Sequence, residues 1–150
     1  MTKPQLIIHA DGGSRGNPGP AALGVVIEPT AGSGLKPGRK EYAEYLGELT
    51  NNEAEYRALI FALKKAKQLY GKNNIAKAAV EVRMDSELVV KHLNAEYKIE
   101  GEKLQPLFLE VWNLKQDFGS VRFTAVPRQK NRRADELVNS VLDQRASKLF

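Results

Sequence analysis

The 150-residue chain has no cysteine, so disulfides, thiolate metal sites and thiol nucleophiles are all excluded. Histidine is nearly as scarce. His9 and His92 are the only two, they share no metal-ligand spacing, and they read as packing or surface residues of a strand and a helix, so zinc is not expected. The sole tryptophan, Trp112, lies in an amphipathic segment and reads as packing rather than as a stacking platform. Long apolar runs are also missing. No stretch approaches the roughly 20 apolar residues of a membrane span, and the opening residues lead into only three large apolar side chains, far short of a signal segment. A cytoplasmic chain without a membrane partner is therefore expected, and it is expected to act as a monomer. No repeat, low-complexity tract or linker divides the sequence, which reads as one domain over 1–150. Positive charge is in excess: 23 Lys and Arg against 18 Asp and Glu give a net +5, which favours a polyanionic partner.

Two β-branched runs, Leu6–Ala10 and Ala22–Glu28, flank the Gly/Pro/Asn-rich stretch Asp11–Pro20 and predict a hairpin with a long loop. Asp11 then closes the first strand, and the glycines after it would let backbone N–H groups approach a ligand. A third strand is predicted over Glu41–Leu46, and the short connections make these three antiparallel neighbours. Thr50 with Glu53 forms a capping-box pattern for a helix running to about Tyr70, with Gly71 as its stop. A fourth strand, Ala79–Met84, ends in Asp85 and leads to a short helix over Ser86–Leu93. Asn94–Lys103 is polar and irregular. A helix follows over Leu104–Phe118, then a fifth strand over Val121–Val126 and a last helix from Asn131 to about Ala146. Strands four and five each follow a helix, so they enter by parallel crossovers. The expected fold class is α/β, a five-stranded mixed sheet with its first three strands antiparallel and helices on both faces.

Four acids draw attention. Asp11 and Asp85 end predicted strands at the carboxyl edge, where open α/β sheets bind ligands. Each alone is equally at home as a turn or cap residue. Glu55 heads the stripe Ala58, Leu59, Ala62, Leu63 and Ala66, so it faces inward, where an acid needs a cation or donors; a buried ion pair to an arginine would also serve. Asp135 lies in the first turn of the last helix, where the dipole favours an acid, and its stripe runs on through Val138 and Leu142. Four inward acids without counter-charge would repel one another and hold protons. A pair of divalent ions would relieve this, and hard oxygen donors suit Mg²⁺.

Taken in order, Asp11-Gly12-Gly13-Ser14 with Gly16-Asn17-Pro18-Gly19-Pro20, Thr50-Asn51-Asn52-x-x-Glu55, Met84-Asp85-Ser86 and Asn131-x-x-Ala134-Asp135 resemble ribonuclease H of type 1 over nearly the whole chain. The resemblance implies a ribonuclease H-like fold and hydrolysis of the RNA strand of RNA–DNA hybrids with two Mg²⁺ ions, Mn²⁺ being a possible substitute. Cleavage would leave a 5′-phosphate and a 3′-hydroxyl. It assigns Asp11, Glu55, Asp85 and Asp135 as catalytic metal ligands. Hybrid contacts map to Gly12, Asn17 and Asn52, with Thr50 and Asn51 near the DNA-strand phosphates. Such amides and hydroxyls bind phosphate or 2′-OH without demanding a base sequence.

The sequence departs from the bacterial pattern twice. Asn94–Lys103 stands where many members carry a basic, Trp-containing protrusion. Pro127-Arg128-Gln129-Lys130-Asn131 replaces a Gly-rich loop bearing a catalytic histidine. The chain thus resembles the shorter branch of the family. Arg128 is the expected partial substitute for that histidine, and with Lys130, Arg132 and Arg133 it is expected to supply hybrid contacts. Two other readings stay open at this point: a DNA-cutting nuclease of the same fold, and a nucleic-acid-binding module without catalysis. The four acids weigh against the second of these.

Overall fold

The structure is a computed structural model that describes residues 3–148. Five strands, β1 (Leu6–Ser14), β2 (Gly19–Pro29), β3 (Lys40–Leu49), β4 (Ala79–Met84) and β5 (Ser120–Ala125), form one sheet in the order β3-β2-β1-β4-β5. β1 pairs antiparallel with β2, and β2 with β3; β4 is parallel to β1 and to β5. The helices are α1 (Asn51–Tyr70), α2 (Lys72–Ile75), α3 (Glu87–Leu93), α4 (Leu104–Lys115) and α5 (Arg132–Lys148), with a 3-10 turn over Arg128–Asn131 before α5. The expected architecture holds, and no helix is long and apolar enough to cross a membrane among the described residues.

Strand alternation divides the core between two faces. Leu6, Ile8 and Ala10 of β1, with Leu23, Val25 and Ile27 of β2 and Val80 and Val82 of β4, are fully buried against Ala58, Leu59, Ala62, Leu63 and Ala66 of α1. The opposite face carries a smaller cluster, in which Ala22 of β2 meets Val138 and Leu142 of α5. The capping box at Thr50 forms as the sequence predicts: its hydroxyl accepts from the Glu53 amide, and the Glu53 carboxylate accepts from the Thr50 amide. On the other flank of α1, the Tyr56 hydroxyl and His92 Nδ1 lie 3.0 Å apart in the interior, tying α1 to α3.

Two expectations need correction. The first hairpin has no long loop: β1 continues to Ser14 and β2 begins at Gly19, so only residues 15–18 turn. Gly12 and Gly13 are ladder residues, opposite Leu23 and Ala22. At Gly12 the missing side chain serves helix packing as well, and both glycines line an open cleft. A Cβ on Gly12 would stand 2.1 Å from the Ala54 carbonyl oxygen of α1. A Cβ on Gly24 would stand 2.2 Å from the Ala134 carbonyl oxygen of α5. Glycine at these two places lets one helix press on each face of the sheet at the same level. The second correction concerns Trp112, which is half-exposed beside exposed Leu109 on the outer side of α4 and is not a packing residue.

Candidate active site

Asp11 is not at the end of its strand, as its Asp-Gly-Gly context implied, but three residues inside it. It stands opposite Gly24, so its side chain points to the α5 face, while that of Ala10 points to α1. In the parallel pair, Leu6 to His9 align with Val80 to Arg83. Two further residues along each strand bring Asp11 level with Asp85, just past the end of β4. Asp135 arrives in the first turn of α5, seated close by the contact at Gly24. Glu55 arrives from the other face, in the second turn of α1, where the contact at Gly12 brings that helix against β1. The two glycine contacts and one parallel register thus gather four acids, distant in sequence, around one open cleft of about 310 Å³.

Asp11 and Glu55 are both only 7% exposed. Burial, then the charges of Asp85, Asp135 and Glu55, push the Asp11 carboxyl up to about 8. Burial also pushes Glu55 up to about 7; the Ser86 hydroxyl and the Asn51 amide resist this, and Asp85 adds to it. Glu55 Oε1 accepts from Asn51 Nδ2 at 3.2 Å, but its buried Oε2 has no hydrogen-bond partner. Arg128 offers the nearest counter-charge, at long range: Nε is 3.8 Å from Asp85 and Nη2 is 3.9 Å from Asp135, on a side chain 78% exposed. No buried Arg pairs with Glu55, so the ion-pair alternative does not hold. An all-oxygen donor set, an orphaned carboxylate oxygen and two carboxyls driven toward neutrality fit hard divalent cations. Among the described residues no three His, Cys, Asp or Glu side chains close into a metal cage.

The same cleft contains Gly12, Asn51 and Arg128 among the residues expected to meet substrate. Asn17, Thr50 and Asn52 are not in its wall. Thr50 is committed to capping α1, and Asn17 Oδ1 accepts the free Asn51 amide of that helix at 3.1 Å. Asn51 Oδ1 in turn accepts the Ser14 amide at 3.2 Å, so hairpin tip, helix start and Glu55 are linked through Asn51. Ser14, Arg15 and Asn139 also line the cleft and were not singled out in the sequence. Arg15 belongs there because its turn folds back on α5, where it pairs with Asp143 at 2.6 Å; no motif signals that long-range contact. Lys130, Arg132 and Arg133, expected beside Arg128 as hybrid contacts, turn away from the four acids and line a separate cavity.

A 3-2-1-4-5 mixed sheet with acids from β1, α1, the β4 edge and α5 around one cleft is the arrangement of the ribonuclease H-like fold class. Residues 9–141 match the family described as "Reverse transcriptase-like". The Ribonuclease HI of Halobacterium salinarum is 40% identical over 91% of this chain, which spans 64% of that protein. A bifunctional protein of Mycobacterium tuberculosis is 38% identical over 95% of the chain, but the chain spans only 36% of that relative. A solved RNase H1 in complex with an RNA/DNA hybrid is 43% identical, with a TM-score of 0.83 and coverage of 94% of this chain and 99% of the other. The chain belongs to the ribonuclease H family, type 1, whose members are generally dependent on divalent metal ions.

Proposed function

We propose that the chain is a single ribonuclease H domain over 1–150 that hydrolyses the RNA strand of RNA–DNA hybrids, leaving 5′-phosphate and 3′-hydroxyl ends, as a monomer. Asp11, Glu55, Asp85 and Asp135 hold two Mg²⁺ ions, with Mn²⁺ as a substitute. The observation that carries this reading is the pair of buried carboxyls, Asp11 raised to about 8 and Glu55 to about 7, in a cleft where Arg15 is paired with Asp143 and Arg128 meets Asp85 and Asp135 only at 3.8 and 3.9 Å. When bound, such a metal pair supplies the positive charge that stabilises the attacking and leaving oxygens of a phosphodiester.

The protein's own groups do the positioning. Asp11 stands on a strand ladder and cannot drift. Glu55 is held at one oxygen by Asn51, which leaves the other free for a cation, and it lies where a 2′-OH can meet it. The backbone at Gly12 and the side chain of Asn51 meet sugar and phosphate within the cleft without reading bases, and Asn17, Thr50 and Asn52, outside its wall, would meet only the parts of the hybrid that extend beyond it. Arg128 is always charged and so is no general base. On its exposed arm it would draw the product phosphate out of the cleft or orient water.

The test is incubation of the protein with labelled hybrid, duplex DNA and duplex RNA, each with Mg²⁺, Mn²⁺ or chelator. Metal-dependent cutting confined to the RNA of the hybrid is expected. Equal cutting of duplex DNA, or binding with no cleavage under any metal, would overturn the reading.

A further inference from the structure

Behind the four-acid cleft, on the α5 face of the sheet, lies a second cavity of about 300 Å³. The 3-10 turn separates the two. Arg128 at its start faces the acids, whereas Gln129, Lys130 and Asn131 face the second cavity. Ile7 and His9 of β1, with Val26 and Glu28 of β2, lie under it, because alternation puts these residues on the α5 side. Its volume falls at the small end of ligand pockets, roughly 300–1,000 Å³.

Two properties of this cavity suit a ligand. First, Arg39, Arg83, Lys130, Arg132 and Arg133 line it against one acid, Glu28. Glu41 engages Arg39 and Arg133, and Glu81 engages Arg83, which fixes those walls. Lys130 and Arg132 take no carboxylate among the described residues and remain available to an anion. Second, half-buried Ile7 beside Val26 gives it an apolar floor, which an inorganic anion would leave wet. Asn131, only 1% exposed, braces the turn under these cations: its Nδ2 donates to the Ala10 carbonyl at 3.0 Å.

A ligand that satisfies both must combine an anion with a flat apolar body. We propose that this cavity binds one nucleotide unit, with its phosphate on Lys130 and Arg132 and its base on the Ile7–Val26 floor. The unit is either a free mononucleotide or the 5′-phosphorylated end of a strand. The site is separate from the acids, so it stands whether or not the protein cuts hybrids.

The experiment is titration of ¹⁵N-labelled protein, without divalent metal, with AMP, adenosine, inorganic phosphate and a 5′-phosphorylated adenine dinucleotide. AMP should give saturable shifts at His9, at Asn131 including its side-chain amide, and at Arg132. It should bind at least tenfold more tightly than adenosine or phosphate. The double variant Lys130→Glu/Arg132→Glu, both sites being exposed, should weaken AMP at least tenfold, while Asp11→Asn should leave its affinity unchanged. Tighter binding of the dinucleotide than of AMP marks a strand end as the source; equal binding marks a free nucleotide. Shifts confined to Asp11, Glu55 and Asp85, affinity for phosphate equal to that for AMP, or no saturable shift in the unmodified protein would each overturn the proposal.

Discussion

Asp11→Asn should make the metal-free protein more stable, by an amount that depends on pH in a defined way. In the folded protein the Asp11 carboxyl is raised from an ordinary 3.8 to about 8, first by burial and then by Asp85, Asp135 and Glu55. Below pH 3.8 both folded and unfolded chains hold the proton, and Asp11 costs nothing. Between 3.8 and about 8 the unfolded chain releases the proton and the folded one keeps it, so stability falls as pH rises. At about 1.4 kcal/mol per pH unit, the roughly three units up to pH 7 make Asp11 cost about 4 kcal/mol relative to a residue that does not titrate. Asparagine is such a residue and nearly matches the protonated acid in shape. Glu41, Glu53 and Glu81, whose carboxyls are lowered, lose stability at acid pH, but they do so equally in both proteins. The measurement is urea unfolding of parent and variant in chelator from pH 4 to 8. The gain should be near zero at pH 4 and grow to as much as about 4 kcal/mol at pH 7, a rise in Tm of roughly 10 °C for a chain of this size. Added Mg²⁺ should narrow the gap by stabilising the parent, and hybrid cleavage by the variant should be abolished. A gap that does not change with pH, or a variant less stable at pH 7, would refute the electrostatic account; a variant that still cuts hybrid would refute the role of Asp11.

Three further outcomes are expected. Glu53→Gln should keep the bond to the Thr50 amide, cost well under about 1 kcal/mol and leave activity nearly intact, whereas Glu55→Gln should lower the Mg²⁺-dependent rate by orders of magnitude; equal losses would mean that the helix register has been misread. Arg128→Ala should lower turnover of the hybrid more than it weakens binding of uncut hybrid, and unchanged turnover would leave Arg128 as a surface charge. Gly12→Ala places a methyl 2.1 Å from a helix carbonyl, so α1 must back away from β1. About 1–3 kcal/mol of stability should be lost in thermal unfolding, with about a 100-fold loss of rate from a displacement near 1 Å; activity at the parental level would show that the helix contact does not set the position of Glu55.

Much of this protein was legible in its sequence because the signals are local. The Thr50–Glu53 capping box, the stripe from Glu55 to Ala66 and the stop at Gly71 each depend on residues within a turn or two, and all form as predicted. The order of strands and helices predicts the mixed sheet, since chain connectivity leaves parallel strands little choice but crossovers. The separation of Glu53 from Glu55 also follows from helix periodicity alone: one caps the helix, and the other is buried beneath it.

Tertiary structure decided the rest, because it depends on residues that are distant in sequence. Gly12 and Gly24 have the local appearance of turn or flexible positions. Only the approach of α1 and α5 reveals that each is small to admit a helix backbone, while β1 runs on through Asp11 because it stays paired with β2 as far as Ser14. The half-exposure of Trp112 likewise follows from which side of α4 meets the core, and an amphipathic pattern with a large ring near its boundary does not fix that. The basic run Arg128 to Arg133 reads as one patch. The 3-10 turn divides it, sending Arg128 toward the acids and its neighbours to the opposite side. Sequence periodicity fixes which face of an element is buried, but which two faces meet, and how closely, is set by residues far apart in the chain, such as Gly12 with Ala54 and Gly24 with Ala134.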